Sequence, residues 1–248
     1  MKPLFLSLLL VASTAFPTIA TSNSLDIDPV YQQTPVWCWA AVGEMVFKYY
    51  NIGSINPGGF YQCGIVALLH PTCNVDCRNC VVGAGNSRTM RRMLERYPEV
   101  ARGQMLTSSR ISTSYRSREV SLRTVKAEID NGRPVIAGIS PSGYQRDGVS
   151  EHVALIVGYD EDNLIVNDPF PFSSGAFRGN PYEDAGGSRE YRGQYYISYD
   201  DFVSSLNWGE TFYKIKCRGS TCPSFGDNDD TGDWRREPCN RIAGCGAY

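Results

Sequence analysis

Cys38 stands between two tryptophans in the run Gln32-Gln33-Thr34-Pro35-Val36-Trp37-Cys38-Trp39-Ala40-Ala41, and the chain holds only two histidines, His70 and His152, to serve it as a base. A thiol becomes a nucleophile as its thiolate, and positive potential at a helix N-terminus favours that form. Val42, Met45, Val46 and Tyr49 follow at i, i+3, i+4 and i+7, one apolar face of a helix. Proline is tolerated only in a helix's first turn, so the helix begins at or after Pro35 and Cys38 falls in or near that turn. His152 opens the β-like run Val153-Ala154-Leu155-Ile156-Val157-Gly158-Tyr159, and a polar turn at 160–163 returns the chain as Leu164-Ile165-Val166-Asn167-Asp168. A hairpin of that kind brings Asp168 back beside His152, where a carboxylate can hold the imidazole by its second nitrogen and stabilise its charged form. Gln32, six residues before the cysteine, is placed to donate an amide proton to a developing oxyanion together with the Cys38 backbone N–H. Gln33, at minus five, competes for that role, and the register of the turn decides between them.

The elements that must position these groups fall into two halves. Helices come first: the one after Pro35, stopped by Asn51 and Gly53; a second capped by Ser87 and carrying Met90, Met93, Leu94 and Tyr97; and a third capped by Ser121, carrying Leu122, Val125 and Ile129 and ending at Asn131-Gly132. Between the first two, residues 54–86 are rich in Gly and Cys and read as a disulfide-tied excursion. Residues 101–118 are left as strand or loop. Strand-like runs then occupy 134–140, 153–159, 164–167, 195–199 and 211–216. The turn between the second and third is tight, and no helix of crossover length separates these runs, so an antiparallel sheet is expected. Helices before strands give an α+β fold.

Residues 1–20, MKPLFLSLLLVASTAFPTIA, have the charged start, apolar run and small-residue end of a secretory signal peptide. The protein is therefore expected to be secreted or periplasmic, with no membrane span in its mature form. Export governs the reading of the nine cysteines, because exported thiols pair. Nine is odd. Cys63, Cys73, Cys77 and Cys80 form one cluster, Cys217, Cys222, Cys239 and Cys245 a second, and Cys38 is left free. His70 lies inside the first cluster, whose spacing resembles a zinc knuckle; an oxidising compartment favours disulfides over zinc there, so no metal and no cofactor are expected. Trp37 and Trp39 are expected as walls of a cleft or as core, Arg88, Arg91, Arg92 and Arg96 as a solvated face, and the acidic residues 227–230 as plain surface. Lys and Arg total 24 against 26 Asp and Glu, a net charge of -2 with no like-charge run, which excludes a nucleic-acid binder.

Three blocks together carry a family resemblance. They are Gln32-x5-Cys38-Trp39-Ala40-Ala41, Gly132-Arg133-Pro134-Val135-Ile136, and Glu151-His152 through Asp160 with Asn167-Asp168-Pro169. They resemble the papain-like cysteine peptidases of bacteria, in the branch shared with avirulence-effector proteases and bacteriocin-processing peptidases. The resemblance covers about residues 32–216. It implies a Cys38, His152, Asp168 triad with Gln32 as oxyanion donor, in a cleft between a helical left lobe and an antiparallel right lobe, acting on a protein or peptide substrate. Plant and lysosomal papains have Asn as third residue, so Asn167 is the alternative to Asp168. Those enzymes also carry a long inhibitory propeptide, whereas about a dozen residues separate the signal from Gln32. The expected organisation is a signal peptide at 1–20, a catalytic domain at 21–216 with the Cys-rich insertion at 54–86, and a Cys-rich extension at 217–248. The same triad would serve an acyl transferase, a transglutaminase-like enzyme or a peptidoglycan amidase, and a non-catalytic disulfide-rich module is the reading outside enzymology. A protein inhibitor or immunity partner would suit such an enzyme, but the sequence specifies none.

Overall fold

The computed structural model describes residues 21–73, 77–142, 150–172 and 179–224. The expected signal peptide at 1–20, the acidic residues 227–230, and Cys239 and Cys245 lie outside the described residues. In chain order the elements are β1 (Ser22–Ser24), α1 (Cys38–Tyr49), α2 (Tyr61–Leu69), α3 (Ser87–Gly103), β2 (Arg110–Arg116), α4 (Leu122–Asp130), β3 (Val135–Ile139), β4 (His152–Asp160), β5 (Asn163–Asn167), α5 (Pro181–Asp184), β6 (Ser188–Tyr191), β7 (Gln194–Ser198), α6 (Tyr199–Ser204) and β8 (Glu210–Arg218). This is an α+β fold. One sheet runs β2-β8-β3-β4-β5-β7-β6, with β1 pairing the far end of β4, and the pairs are antiparallel throughout.

Side-chain alternation along the central strands divides the interior in two, as a sheet buried on both faces requires. Ile136, Leu155, Val157, Ile165, Phe212 and Ile215 point to one face, where they pack with Val42, Met45 and Val46 of α1, Ile65 of α2, and Met90, Met93 and Leu94 of α3. Val135, Ala137, Ala154, Ile156, Leu164 and Val166 point to the other, against Val125 and Ile129 of α4 and Phe202 of α6. The helical layer over the first face sets the start of α1 against β4, where Cys38 meets His152.

Several local expectations needed correction. Asn86, not Ser87, caps α3, its side chain accepting from the Thr89 N–H. α3 also continues through Pro98 to Gly103, because Tyr97, Pro98 and Ala101 bury the same face and hold the chain helical past the missing N–H. The Cys-rich excursion contains a helix, α2, whose residues Gln62 to Val66 are buried. Residues 101–118 divide between the end of α3 and the strand β2. Tyr199 opens α6, capped by Ser198, instead of ending a strand. The polar leader is tied in as β1, with Ile27 buried behind it. Ser121 does cap α4, and Gly132 takes a left-handed φ of 68° just after it, the turn that lets β3 begin.

The first cysteine cluster forms two disulfides, Cys63–Cys77 and Cys73–Cys80, and the second contributes Cys217–Cys222. Cys38 is the free cysteine among the described residues. No helix among the described residues is long and apolar enough to cross a membrane.

Candidate active site

Cys38 is the first residue of α1, and no side chain caps that helix: Trp37 holds the cap position without a side-chain hydrogen bond, and the first turn carries no acid. The positive end of the helix is thus left open to the thiol. The two flanking tryptophans are buried and anchored by their indole N–H groups, Trp37 Nε1 donating to the Cys80 carbonyl at 3.0 Å and Trp39 Nε1 to the Val82 carbonyl at 3.2 Å. The disulfide-tied excursion therefore grips the start of α1 on both sides of the nucleophile candidate. Its last residues, Gly83 to Asn86, and Ser87 at the start of α3 then form one wall of a cavity of about 270 Å3 that Cys38, Trp39 and His152 also line.

His152 is the first residue of β4, and the pairing of Leu155 with Asn167 puts the residue after β5 on the same side of the sheet. His152 Nε2 lies 2.8 Å from Asp168 Oδ1. The other ring nitrogen, Nδ1, is left for Cys38, which lines the same cavity and lies close enough to raise the pKa of the ring. Asp168 is fully buried and accepts two further bonds, from the Phe170 N–H at 2.8 Å and the Tyr182 hydroxyl at 2.7 Å. Phe170 and Phe172 stand edge-on to the His152 ring at 6.3 and 6.5 Å. Tyr182 stacks on Tyr195; burial first, and the Asp168 charge second, push its phenol well above the usual range, so it stays a protonated donor.

Asn167 goes elsewhere. Its Nδ2 donates to the Ile27 carbonyl at 2.7 Å and its Oδ1 accepts from Gln194 Nε2 at 2.8 Å, so both ends of the amide are engaged away from the imidazole. Asp168 is the residue that touches His152. His70 closes α2 and lies edge-on to Trp39, with ring centroids 6.4 Å apart.

Gln32 sits on a loop fixed from three directions. Its backbone N–H donates to the Pro169 carbonyl, directly after Asp168. Its Nε2 donates to the Thr34 carbonyl at 2.9 Å. Gln62 of α2, wholly buried, clamps the neighbours on either side, accepting from the Gln33 N–H and donating to the Tyr31 carbonyl and to Glu44. The bond to the Thr34 carbonyl holds the Gln32 side chain in place, while Gln32 Oε1 is buried with no hydrogen-bond partner. Gln33, by contrast, is exposed. Gln62 and Tyr182 were not foreseen from sequence, since each acts through a contact between segments far apart in the chain.

Burial by itself would lower the His152 pKa, but the charge and hydrogen bond of Asp168, and more weakly the nearby Cys38, raise it well above 6.5. Folding thus favours the imidazolium. Its contribution to stability is fully present below about pH 6.5 and is lost as pH rises through the raised folded value. In thermal melts at a series of pH values, the stability advantage of the wild type over His152→Gln is expected to be largest in mild acid and to shrink toward alkaline pH. An advantage that grows with pH would mean that the fold prefers the neutral ring.

A thiol at an open helix N-terminus, beside an imidazole that a buried carboxylate holds, is the constellation of a cysteine-type peptidase. The protein-family model described as the Peptidase_C39-like family matches residues 24–200, and the chain belongs to that family of papain-like cysteine peptidases. Among solved structures it is similar to a double glycine motif protease from an AMS/PCAT transporter, crystallised in complex with the leader peptide; the identity is 16%, the match covers 80% of this chain and 100% of that one, and the TM-score is 0.40. No curated protein matches.

Proposed function

We propose that the protein is an exported peptidase that hydrolyses peptide bonds through an acyl-enzyme on Cys38, in a cleft between its helical layer and its antiparallel sheet. The observation that supports this most directly is the His152 ring, held by Asp168 at 2.8 Å, in the cavity that Cys38 also lines. His152 takes the thiol proton, and the thiolate adds to the scissile carbonyl. The charge that appears on the oxygen is met by the Cys38 backbone N–H and the side-chain amide of Gln32. Collapse of the intermediate breaks the C–N bond as the imidazolium gives its proton to the leaving amine. Water then attacks the thioester, its proton passing to His152, and an acid and the free thiol are released. Asp168 keeps the ring oriented and its charged form stable throughout. Residues 1–20 are the export signal, 21–216 the catalytic unit, within which the family match at 24–200 falls, and 217–248 an extension.

Incubating the mature protein with a denatured proteome and mapping new termini by mass spectrometry tests the activity, with purified peptidoglycan treated in parallel. New termini absent from a Cys38→Ala control are expected. Release of cell-wall fragments with no new protein termini would move the activity to an amidase.

Gln32→Ala should lower kcat by roughly a hundredfold and leave KM nearly unchanged, because its amide is needed when charge develops on the oxygen. Gln33→Ala should change kcat little. An effect of Gln32→Ala confined to KM would remove Gln32 from the oxyanion hole.

A further inference from the structure

The cleft beside Cys38 is walled largely by apolar groups, among them Trp39, Met90, Val153 and Phe212, yet a carboxylate reaches its lining. Glu210, the first residue of β8, is only 7% exposed. Its Oε1 accepts from the Tyr115 hydroxyl at 2.8 Å and its Oε2 from the Ser150 N–H at 3.0 Å. Both donors are neutral, no lysine or arginine is found among the described residues that line the cleft, and the His152 imidazolium there is already paired with Asp168. Ser150 Oγ, from a residue of the same lining, is buried with no hydrogen-bond partner. Across the sheet from Glu210 stands Gly138; a Cβ there would come within 2.8 Å of Ser150 Oγ and 3.0 Å of Glu210 Cβ. The bare glycine therefore makes room for the acid and the serine. Glu151, exposed at the edge of the same cavity, adds a second negative charge.

Two neutral hydrogen bonds occupy lone pairs on a buried carboxylate without balancing its charge, and an uncompensated buried charge is costly. The missing complement is a cation on an apolar stem, since the walls suit methylenes and only the carboxylate suits an ammonium or guanidinium head. The unpartnered Ser150 Oγ is an acceptor for one more N–H of such a head. We propose that Glu210 makes this cleft a subsite for a basic substrate side chain, so that the peptidase proposed above selects lysine or arginine near the bond it cuts. Cys38 and His152 line the same cavity, which places that side chain near the scissile bond.

Two measurements test this, and the second does not need a variant to fold or the enzyme to turn over. First, termini produced by the wild type should concentrate Lys and Arg at one position near the cut. In Glu210→Gln, kcat/KM for a lysine peptide relative to its norleucine counterpart should fall by on the order of a hundredfold. Second, butylguanidinium should slow the alkylation of wild-type Cys38 by iodoacetamide, and uncharged pentanol at equal concentration should do so at least about tenfold less effectively. A wild type that cuts without a basic preference overturns the subsite while the peptidase function stands. Absence of cleavage with butylguanidinium still protecting Cys38 does the reverse. Equal protection by the two compounds, or none by either, overturns the subsite.

Discussion

Replacing either Cys38 or His152 with alanine is expected to lower kcat by about four to six orders of magnitude, and the double variant should be no slower than the worse single one. The thiol and the imidazole line one cavity and act on each other electrostatically, so losing either partner disables both the attack on the carbonyl and the proton delivery to the leaving amine. Neither change should unfold the chain. Cys38 is only partly buried, and it opens α1 without contributing to the apolar face made by Val42, Met45 and Val46. His152→Ala leaves Asp168 its bonds from Phe170 and Tyr182 but without its counter-charge, so a lowered melting temperature with the fold kept is expected. Steady-state kinetics on a peptide found by terminus mapping, with a thermal melt of each variant, gives the answer. Activity within tenfold of wild type in a folded variant would end the Cys38 assignment, and additive losses in the double variant would mean that the two residues do not act as one unit.

The parts of this site that could be read from sequence are those set by local periodicity. Pro35 and the apolar spacing after it require a helix start near Cys38. The alternation from His152, a polar turn and a second alternating run require that Asp168 return to His152's side of the sheet. Both are short-range consequences of a 3.6-residue or two-residue repeat. Features set by packing between distant segments left no such trace. α2 was hidden because its apolar residues are interrupted by Cys63 and Gly64, and because its buried polar group, Gln62, meets its partners only once the Tyr31–Gln33 loop lies against it. Tyr182 reaches Asp168 from a four-residue helix whose place in the fold depends on β7. The cap of α3 was misread by one residue because Asn86 and Ser87 are both good capping types. α3 runs on through Pro98 because burial of Tyr97 and Ala101 on either side outweighs one missing hydrogen bond. The pairing inside the first cysteine cluster was likewise open until the fold brought Cys63 to Cys77 and Cys73 to Cys80.

Asp168 and its neighbour Asn167 should fail in different ways, and the contrast separates a group that acts on the imidazole from one that holds the fold. Asp168→Ala is expected to lower kcat by about a hundredfold to ten-thousandfold, because the ring loses the partner that orients it and favours its charged form. With that partner gone, the main influence raising the His152 pKa is gone too, while burial, which lowers it, remains. The pH at which activity declines on the alkaline side should therefore move to lower values. Asn167→Ala removes both the bond to the Ile27 carbonyl and the bond from Gln194 and leaves buried polar groups unpaired. A loss of about 1–3 kcal/mol in stability is expected from that, with kcat per folded molecule changed by less than about tenfold and the alkaline limb in place. Urea unfolding of the two variants beside their pH–rate profiles measures both quantities. If Asn167→Ala shifts the alkaline limb and Asp168→Ala does not, then Asn167 is the residue coupled to His152, and the 2.8 Å contact between His152 and Asp168 is a structural ion pair without a part in turnover.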